Sequence, residues 1–350
     1  MRSSSHRKIY IRTDANPVIS GGHVMRCLSL ADALARLDAD VEFVLSDEGP
    51  VDIIESRGFV ARVLGTDWHE LTEGIEFLCG LCDEQEDPVV LVDTYSITAE
   101  YVDRLSSHAK TCYLGSKGGD LGNLSLIANY STDIDAGFYG RTYGSRGTRL
   151  LLGPGYAPLG ARFSEVHRKC NGHITKVLVT TGSTDPFGFL PAFLDAALGD
   201  DRLNGVGFDV VVGGMVAEET ALTVERIASS SARVEMLCAV FDMAAVMARC
   251  DAAVSANGTT VYELAAAGLP TVTFSMVEEQ AASAESLAHL GAIEYGGPMG
   301  EDPSRTAAAC VERLAGLASD PDRAAALARR AHELIDGLGA EKIAKEIVQL

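Results

Sequence analysis

Residues 251–270 run Asp-Ala-Ala-Val-Ser-Ala-Asn-Gly-Thr-Thr-Val-Tyr-Glu-Leu-Ala-Ala-Ala-Gly-Leu-Pro, and their order decides the fold. The small apolar run 252–255 has the length of a buried strand. Asn257-Gly258 break it, and apolar residues then recur at helical spacing over 260–267. Gly268 stops the helix, and Pro270 opens the next apolar run, 270–274. A strand that passes through a helix into a second strand is the unit of a parallel sheet.

The same alternation extends in both directions. Upstream in the second half lie strand patterns at 176–180 and 209–212, with helices at 218–228, 242–249 and 278–290 around them. The first half shows its own series, with strands at 8–12, 41–45, 89–93, 111–114 and 124–128 and helices at 23–37 and 97–108. Two series imply an α/β protein of two doubly wound Rossmann-like domains facing a central cleft. A length of 350 residues agrees, at about 150 residues per domain. The turn-rich stretch 153–172 reads as the linker. The expected division is 1–155, 173–335, and a C-terminal helix at 336–350; after Pro303 two helical segments are expected, at 322–335 and 341–350.

Charge narrows the partners. Lys and Arg total 29 against 49 Asp and Glu, a net charge of −20, which argues against binding nucleic acid or an anionic membrane. It leaves room for a small anion, because helix N-termini bind phosphate whatever the net charge. No uncharged apolar run reaches the ~18 residues of a membrane span, and residues 1–8 lack the apolar stretch of a signal peptide. A cytoplasmic location is expected. The eight cysteines are scattered, as in a reducing compartment. Cys79 and Cys82 form the C-x-x-C, on a helix at 71–82, and core packing is the expected role because no second pair completes a zinc site.

Ligands of open parallel sheets bind beyond the carboxyl ends of the strands, and four such loops carry chemical side chains. The first, 11–27, places Gly21 and Gly22, which allow close backbone approach, before His23 at the start of a helix. The helix dipole there disfavours imidazolium, so His23 is a candidate base, the alternative being a simple cap. The second is Val92-Asp93-Thr94-Tyr95, whose tyrosine either packs or meets a sugar. The third, 177–186, contains Gly182-Ser183-Thr184, a turn that would open a helix and receive phosphate; Asp185-Pro186 reads equally as an N-cap with proline at N1. The fourth is the quoted stretch, where Gly258, Thr259 and Thr260 start a helix and Glu263 lies one turn inside it, placed to accept from a ribose diol. Beyond it, Ser275-x-x-Glu278 reads as a capping box, which would aim Gln280 at the cleft.

Together these loops resemble the GT-B nucleotide-sugar enzymes, and most of all the family of the pseudaminic acid biosynthesis UDP-sugar hydrolases and spore-coat polysaccharide proteins. The resemblance rests on Arg12-x-Asp14, Gly22-His-Val-Met-Arg-Cys27, Val92-Asp-Thr-Tyr95, Leu152-Gly-Pro-Gly-Tyr156, Gly182-Ser-Thr-Asp-Pro186, Val211-Val-Gly213 and the stretch from Gly258 to Pro270. The segment from Val240 through Glu263 is also similar to the UDP-binding half of the N-acetylglucosaminyltransferase that makes lipid II. The chain departs from the family at Tyr113-Leu-Gly-Ser116, where an Asp-Asp pair is common, and at Glu279, where Asn usually precedes the glutamine.

The resemblance implies a UDP-sugar substrate. Glu263 would bind ribose and backbone near Val240 uracil, while Gly182, Ser183, Gly258, Thr259 and Thr260 hold diphosphate. His23 would be the general base, with Asp14 and Gly22 beside it and Tyr95 and Gln280 on the sugar. The reaction implied is hydrolysis of a UDP-linked diacetamido-trideoxy sugar, with no cofactor and no metal. A glycosyltransferase using the same nucleotide half is the alternative, and a sensor that binds UDP without turnover is a third class. No basic cluster of the kind membrane-facing transferases carry appears in residues 1–150.

Overall fold

A computed structural model describes residues 7–16, 21–166 and 170–350. The chain divides into two compact units, Met1–Gly160 with Leu338–Leu350, and Ala161–Gly337.

In the first unit the strands β1 (Lys8–Thr13), β2 (Asp40–Leu45), β3 (Val60–Val63), β4 (Val89–Asp93), β5 (Lys110–Leu114), β6 (Leu126–Asn129) and β7 (Arg149–Leu152) form one sheet in the order β3-β2-β1-β4-β5-β6-β7. Every pairing is parallel. Strand periodicity explains the two-sided burial. Ile9 and Ile11 of β1 join Val89 and Leu91 of β4 in one core layer, while Tyr10 joins Val90 and Val92 in the other. Cys79 and Cys82 lie in that second layer on the helix Ile75–Asp83, and burial pushes the Cys82 thiol up to about 12.

The second unit repeats the plan with β8 (Lys176–Thr180), β9 (Gly207–Val212), β10 (Val234–Cys238), β11 (Ala252–Ala256), β12 (Thr271–Ser275) and β13 (Glu294–Pro298), ordered β10-β9-β8-β11-β12-β13, again all parallel. Val177 and Val179 of β8 face one core and Leu178 the other. The α/β class and the two doubly wound sheets are as the sequence indicated. Four strands were not expected: β3, β7, β10 and β13. They are the four edges of the two sheets. Three helices, not two, follow Pro303, because Pro303–Ser319 is itself a 17-residue helix capped by Asp302.

The last helix, Gly339–Ile347, belongs to the first unit. Its Ala340, Ile343, Ala344 and Ile347 enter the layer formed by the helix Gly22–Ala35 and β1. Cations collect at its carboxyl end: Arg149 donates to the Glu346 and Gln349 carbonyls at 3.0 Å each, Arg7 to that of Val348 at 3.1 Å, and Lys110 to that of Leu350. Positive charge there complements the helix dipole. Among the described residues no helix is long and apolar enough to cross a membrane. The packing of this helix predicts that Ile343→Ala, which empties a wholly buried position, lowers stability by about 2–5 kcal/mol. Urea unfolding of variant and parent measures it.

Candidate active site

Each sheet has one point where successive crossovers run in opposite directions. In the first unit β1 leads outward to β2 and β3, and β4 leads the other way to β5, β6 and β7, so the loops after β1 and β4 part. A crevice at such a reversal is where open α/β sheets hold ligands. His23 comes from the first of these loops and Asp93-Thr94-Tyr95 from the second.

His23 is the second residue of the helix Gly22–Ala35 and is 4% exposed. Its Nδ1 lies 2.6 Å from Oδ1 of Asp93, which is fully buried. A carboxylate only accepts, so Nδ1 carries the proton and donates. That leaves Nε2 with the lone pair, and Nε2 is buried without a hydrogen-bond partner among the described residues. Arg26, one helical turn on from His23, grips Asp93 with its planar fork: Nε donates to Oδ2 at 2.6 Å and Nη2 to Oδ1. Its Nη1 donates to the Tyr130 hydroxyl at 2.9 Å, and Cys27 Sγ donates to Asp93 Oδ2 at 3.2 Å. Burial alone would raise the Asp93 carboxyl, but the charge and hydrogen bonds of Arg26 and the hydrogen bond from His23 hold it below the ordinary value. Tyr95, 63% exposed, sets its ring edge-on to the imidazole with centroids 4.6 Å apart. A pocket of about 90 Å³ is lined by His23, Arg26, Tyr95, Ser116, Tyr130 and Ser131 among others.

Asp14 is not among the residues lining that pocket. It is buried and saturated by the Arg12 guanidinium at 2.5 Å, the Ser46 amide at 2.6 Å and the Ser46 hydroxyl at 3.4 Å. Burial nevertheless raises its carboxyl. Gly22 is exposed, and a Cβ added to it or to Gly21 would meet nothing within 4 Å. Residues 17–20 of this loop lie outside the described residues.

In the second unit the reversal falls between β8 and β11. The loop after β8 holds Gly182 at φ 85°, in the left-handed region that favours glycine. Gly182-Ser183 do not open a helix, contrary to expectation; the helix begins at Phe189 after Gly188. Asp185 still serves that helix, since its carboxylate accepts from the Phe189 and Leu190 amides at 2.9 Å each. The loop is braced by the next one: the Met215 amide donates to the Ser183 carbonyl at 3.0 Å, and a Cβ on Gly213 would fall 2.2 Å from the Gly182 carbonyl oxygen.

After β11, the helix Thr259–Ala266 starts at Gly258 with no side-chain cap; the Val261 amide donates to the Gly258 carbonyl at 3.1 Å, which leaves the amides of Thr259 and Thr260 open to a ligand. Glu263, half-buried on this helix, has no side-chain hydrogen bond or ion pair among the described residues, and burial pushes its carboxyl up to about 7. Asn257 donates to the Gln280 carbonyl at 2.8 Å and so ties the two loops together. The expected capping box does not form: Ser275 bonds the Tyr295 hydroxyl at 2.7 Å, and Val277 occupies the cap. Gln280 turns its Oε1 back onto the Met276 amide at 2.9 Å. Val240 follows Ala239, at φ 50°, and precedes Phe241, whose side chain is 96% exposed.

No protein-family model matches the chain. It is 26% identical over 332 residues to the spore coat polysaccharide biosynthesis protein SpsG of Bacillus subtilis, covering 92% of each. Among solved structures, MurG of Acinetobacter baumannii superposes with a TM-score of 0.66 at 14% identity, over 98% of this chain and 100% of that one. The UDP-GlcNAc 2-epimerase of Neisseria meningitidis, solved with UDP-GlcNAc bound, gives 0.67 at 10% identity, over the same shares. The fold is GT-B.

Two side chains at the first reversal of this GT-B chain, Asp93 and Arg26, were not among the site residues read from the sequence. The signal for Arg26 was available, because residues three apart on a helix share a face with His23. Asp93 stood in the Val92-Asp-Thr-Tyr95 loop, but a strand-end aspartate declares its partner only once β1 and β4 pair. Among the described residues no group of three or more His, Cys, Asp or Glu is placed to hold a metal ion.

The Glu263 carboxyl carries a testable consequence. Its folded value lies above the ordinary 4.5, so the fold disfavours the ionised form. The resulting penalty is absent below about 4.5, grows as the unfolded chain ionises, and is complete above about 7. Glu263→Gln cannot ionise, so its stability relative to the parent rises as the pH is raised across that window. Urea midpoints measured at both ends check the sign.

Proposed function

We propose that the chain hydrolyses a UDP-linked diacetamido-trideoxy sugar to UDP and the free sugar, in the biosynthesis of a nonulosonic (pseudaminic-type) acid or a surface polysaccharide. The name of the Bacillus relative and the UDP-GlcNAc bound to the Neisseria epimerase support a nucleotide-sugar enzyme of polysaccharide biosynthesis. One observation carries this reading. The free Nε2 of His23 belongs to a residue lining a polar pocket of about 90 Å³, with room for water beside the base.

In this reading UDP is held by the second unit. The Gly182-Ser183 backbone and the open amides of Thr259 and Thr260 meet the diphosphate, where a helix start favours negative charge. Ionised Glu263 accepts from the ribose hydroxyls, backbone at Val240 contacts uracil, and the exposed Phe241 ring offers it a stacking face. Tyr95, Gly22 and Gln280 are assigned to the sugar side; Asp14, held by Arg12 and Ser46, stays outside it. His23 Nε2 takes a proton from water as the water oxygen bonds to the anomeric carbon. The bond from that carbon to the diphosphate oxygen breaks, and its electron pair leaves with UDP, whose charge the amides stabilise. Asp93 then faces the imidazolium through the Nδ1 hydrogen bond. Attack opposite the leaving group inverts the anomeric centre.

The deciding experiment incubates purified protein with UDP-2,4-diacetamido-2,4,6-trideoxy-β-L-altropyranose in ¹⁸O-water without an acceptor. One ¹⁸O in the free sugar and none in UDP is expected. Label in UDP alone would overturn attack at carbon, and no release without an added acceptor would point to a transferase. His23→Ala should lower kcat by about 10²–10⁴-fold. Gly213→Ala pushes a methyl group against the Gly182-Ser183 loop, and UDP binding by calorimetry should weaken about tenfold or more. Unchanged affinity would remove that loop from the nucleotide site.

A further inference from the structure

At the first reversal one side chain has no part in the proposed chemistry yet is held by three hydrogen bonds. Arg26 makes two of them to Asp93 and one to the Tyr130 hydroxyl, and its Nη2 lies 3.0 Å from His23 Nδ1 as well. Since Nδ1 already donates to Asp93, that last approach is not a hydrogen bond. It places a fixed positive charge beside the imidazole.

The charges can be counted. With His23 neutral, Asp93 and Arg26 sum to zero; with His23 protonated, the buried set carries a net positive charge. The other titratable groups facing the imidazole do not change the sum. Burial keeps the Cys27 thiol on the same helix protonated, and likewise the phenols of Tyr113 on β5 and Tyr130 after β6. Tyr95, after β4, faces the ring with its edge, and Lys117 turns its ammonium to the Tyr95 and Ile97 carbonyls. If Arg26 were absent, the balance would reverse: a neutral His23 would leave a lone buried carboxylate, and protonation would neutralise it. A carboxylate alone beside an imidazole favours the imidazolium, which has no lone pair to offer water.

We propose that Arg26 is a positioning residue that cancels the charge of Asp93, so that Asp93 orients His23 without protonating it and Nε2 stays free as the base. The inference rests on His23 being the base. It adds a requirement that a histidine and aspartate alone would not meet.

The test needs no substrate in its first arm. ¹⁵N-histidine NMR at pH 7 should show the parent with one protonated ring nitrogen on His23, and Arg26→Met with two. Arg26→Lys keeps a charge at the site and should restore the single protonated nitrogen. If Arg26→Met does not fold, Asp93→Asn reads the same balance from the other side: with the positive charge uncompensated, His23 should resist double protonation to lower pH than the parent. In the second arm, kcat of Arg26→Met at pH 7 should fall about tenfold or more, recover as the pH is raised, and leave KM within about twofold. A single protonated nitrogen in Arg26→Met, or a loss of turnover that higher pH does not recover, would overturn the proposal. If the NMR behaves as expected but the parent releases no UDP, the charge balance stands and the hydrolase reading falls.

Discussion

Everything chemical in this protein hangs on a property of parallel sheets. Strands joined by right-handed crossovers can be laid down in one direction only until the chain returns to the middle and starts the other way. Here that happens between β1 and β4 and again between β8 and β11. At each reversal the two loops leave the sheet toward opposite faces, so backbone and side chains at the strand ends are left without neighbours to cover them. His23, Asp93 and Tyr95 flank the first opening; Gly182, Ser183 and Gly258 to Thr260 flank the second.

Two of the buried carboxylates in the first unit, Asp14 and Asp93, lie a few residues from each other in the sheet, and their surroundings contrast. Asp14 is matched by Arg12 and by the amide and hydroxyl of Ser46, while Arg12 also donates to the Thr13 carbonyl at 3.1 Å. Such a set holds the ends of β1 and β2 together, and taking either partner away would strand a buried charge. Asp93 is matched just as fully, by Arg26, His23 and Cys27. The difference is that one of its partners has a second nitrogen, and that nitrogen is left over. An unsatisfied buried polar atom costs about 1–3 kcal/mol, and this one lies beside a polar pocket.

Legibility followed the position of each element in its sheet. Central strands such as Val89–Asp93 and Lys176–Thr180 are covered on both faces, so they must be apolar at nearly every position, and the run stands out. Edge strands are bare on one side. Val60-Ala-Arg-Val63, Val234-Glu-Met-Leu-Cys238 and Glu294-Tyr-Gly-Gly-Pro298 mix polar, small and exposed residues, and nothing in them distinguishes a strand from a loop. Local turn chemistry was similarly uneven. The glycine start of the helix Thr259–Ala266 was readable within a residue, whereas the turn at Gly182 ran six residues further before its helix began.

The sequence by itself determined the α/β class, the central strands, the two doubly wound series and the loops at their carboxyl ends, because each follows from periodicity and turn residues within a window of about twenty. It also singled out His23, since a histidine after Gly-Gly at a helix start is a local pattern. Only the tertiary structure decided that His23 pairs with Asp93, 70 positions away, that Arg26 stands between them and Tyr130, and that Asp14 belongs to a different network. Only it showed Glu263 with its carboxyl unpaired and raised, and the closing helix packed into the first unit. The physical reason is the same in each case. Burial, charge compensation and an unsatisfied atom are properties of what surrounds a side chain, and in a parallel sheet those surroundings come from strands whose adjacency is set by crossovers far apart in the chain.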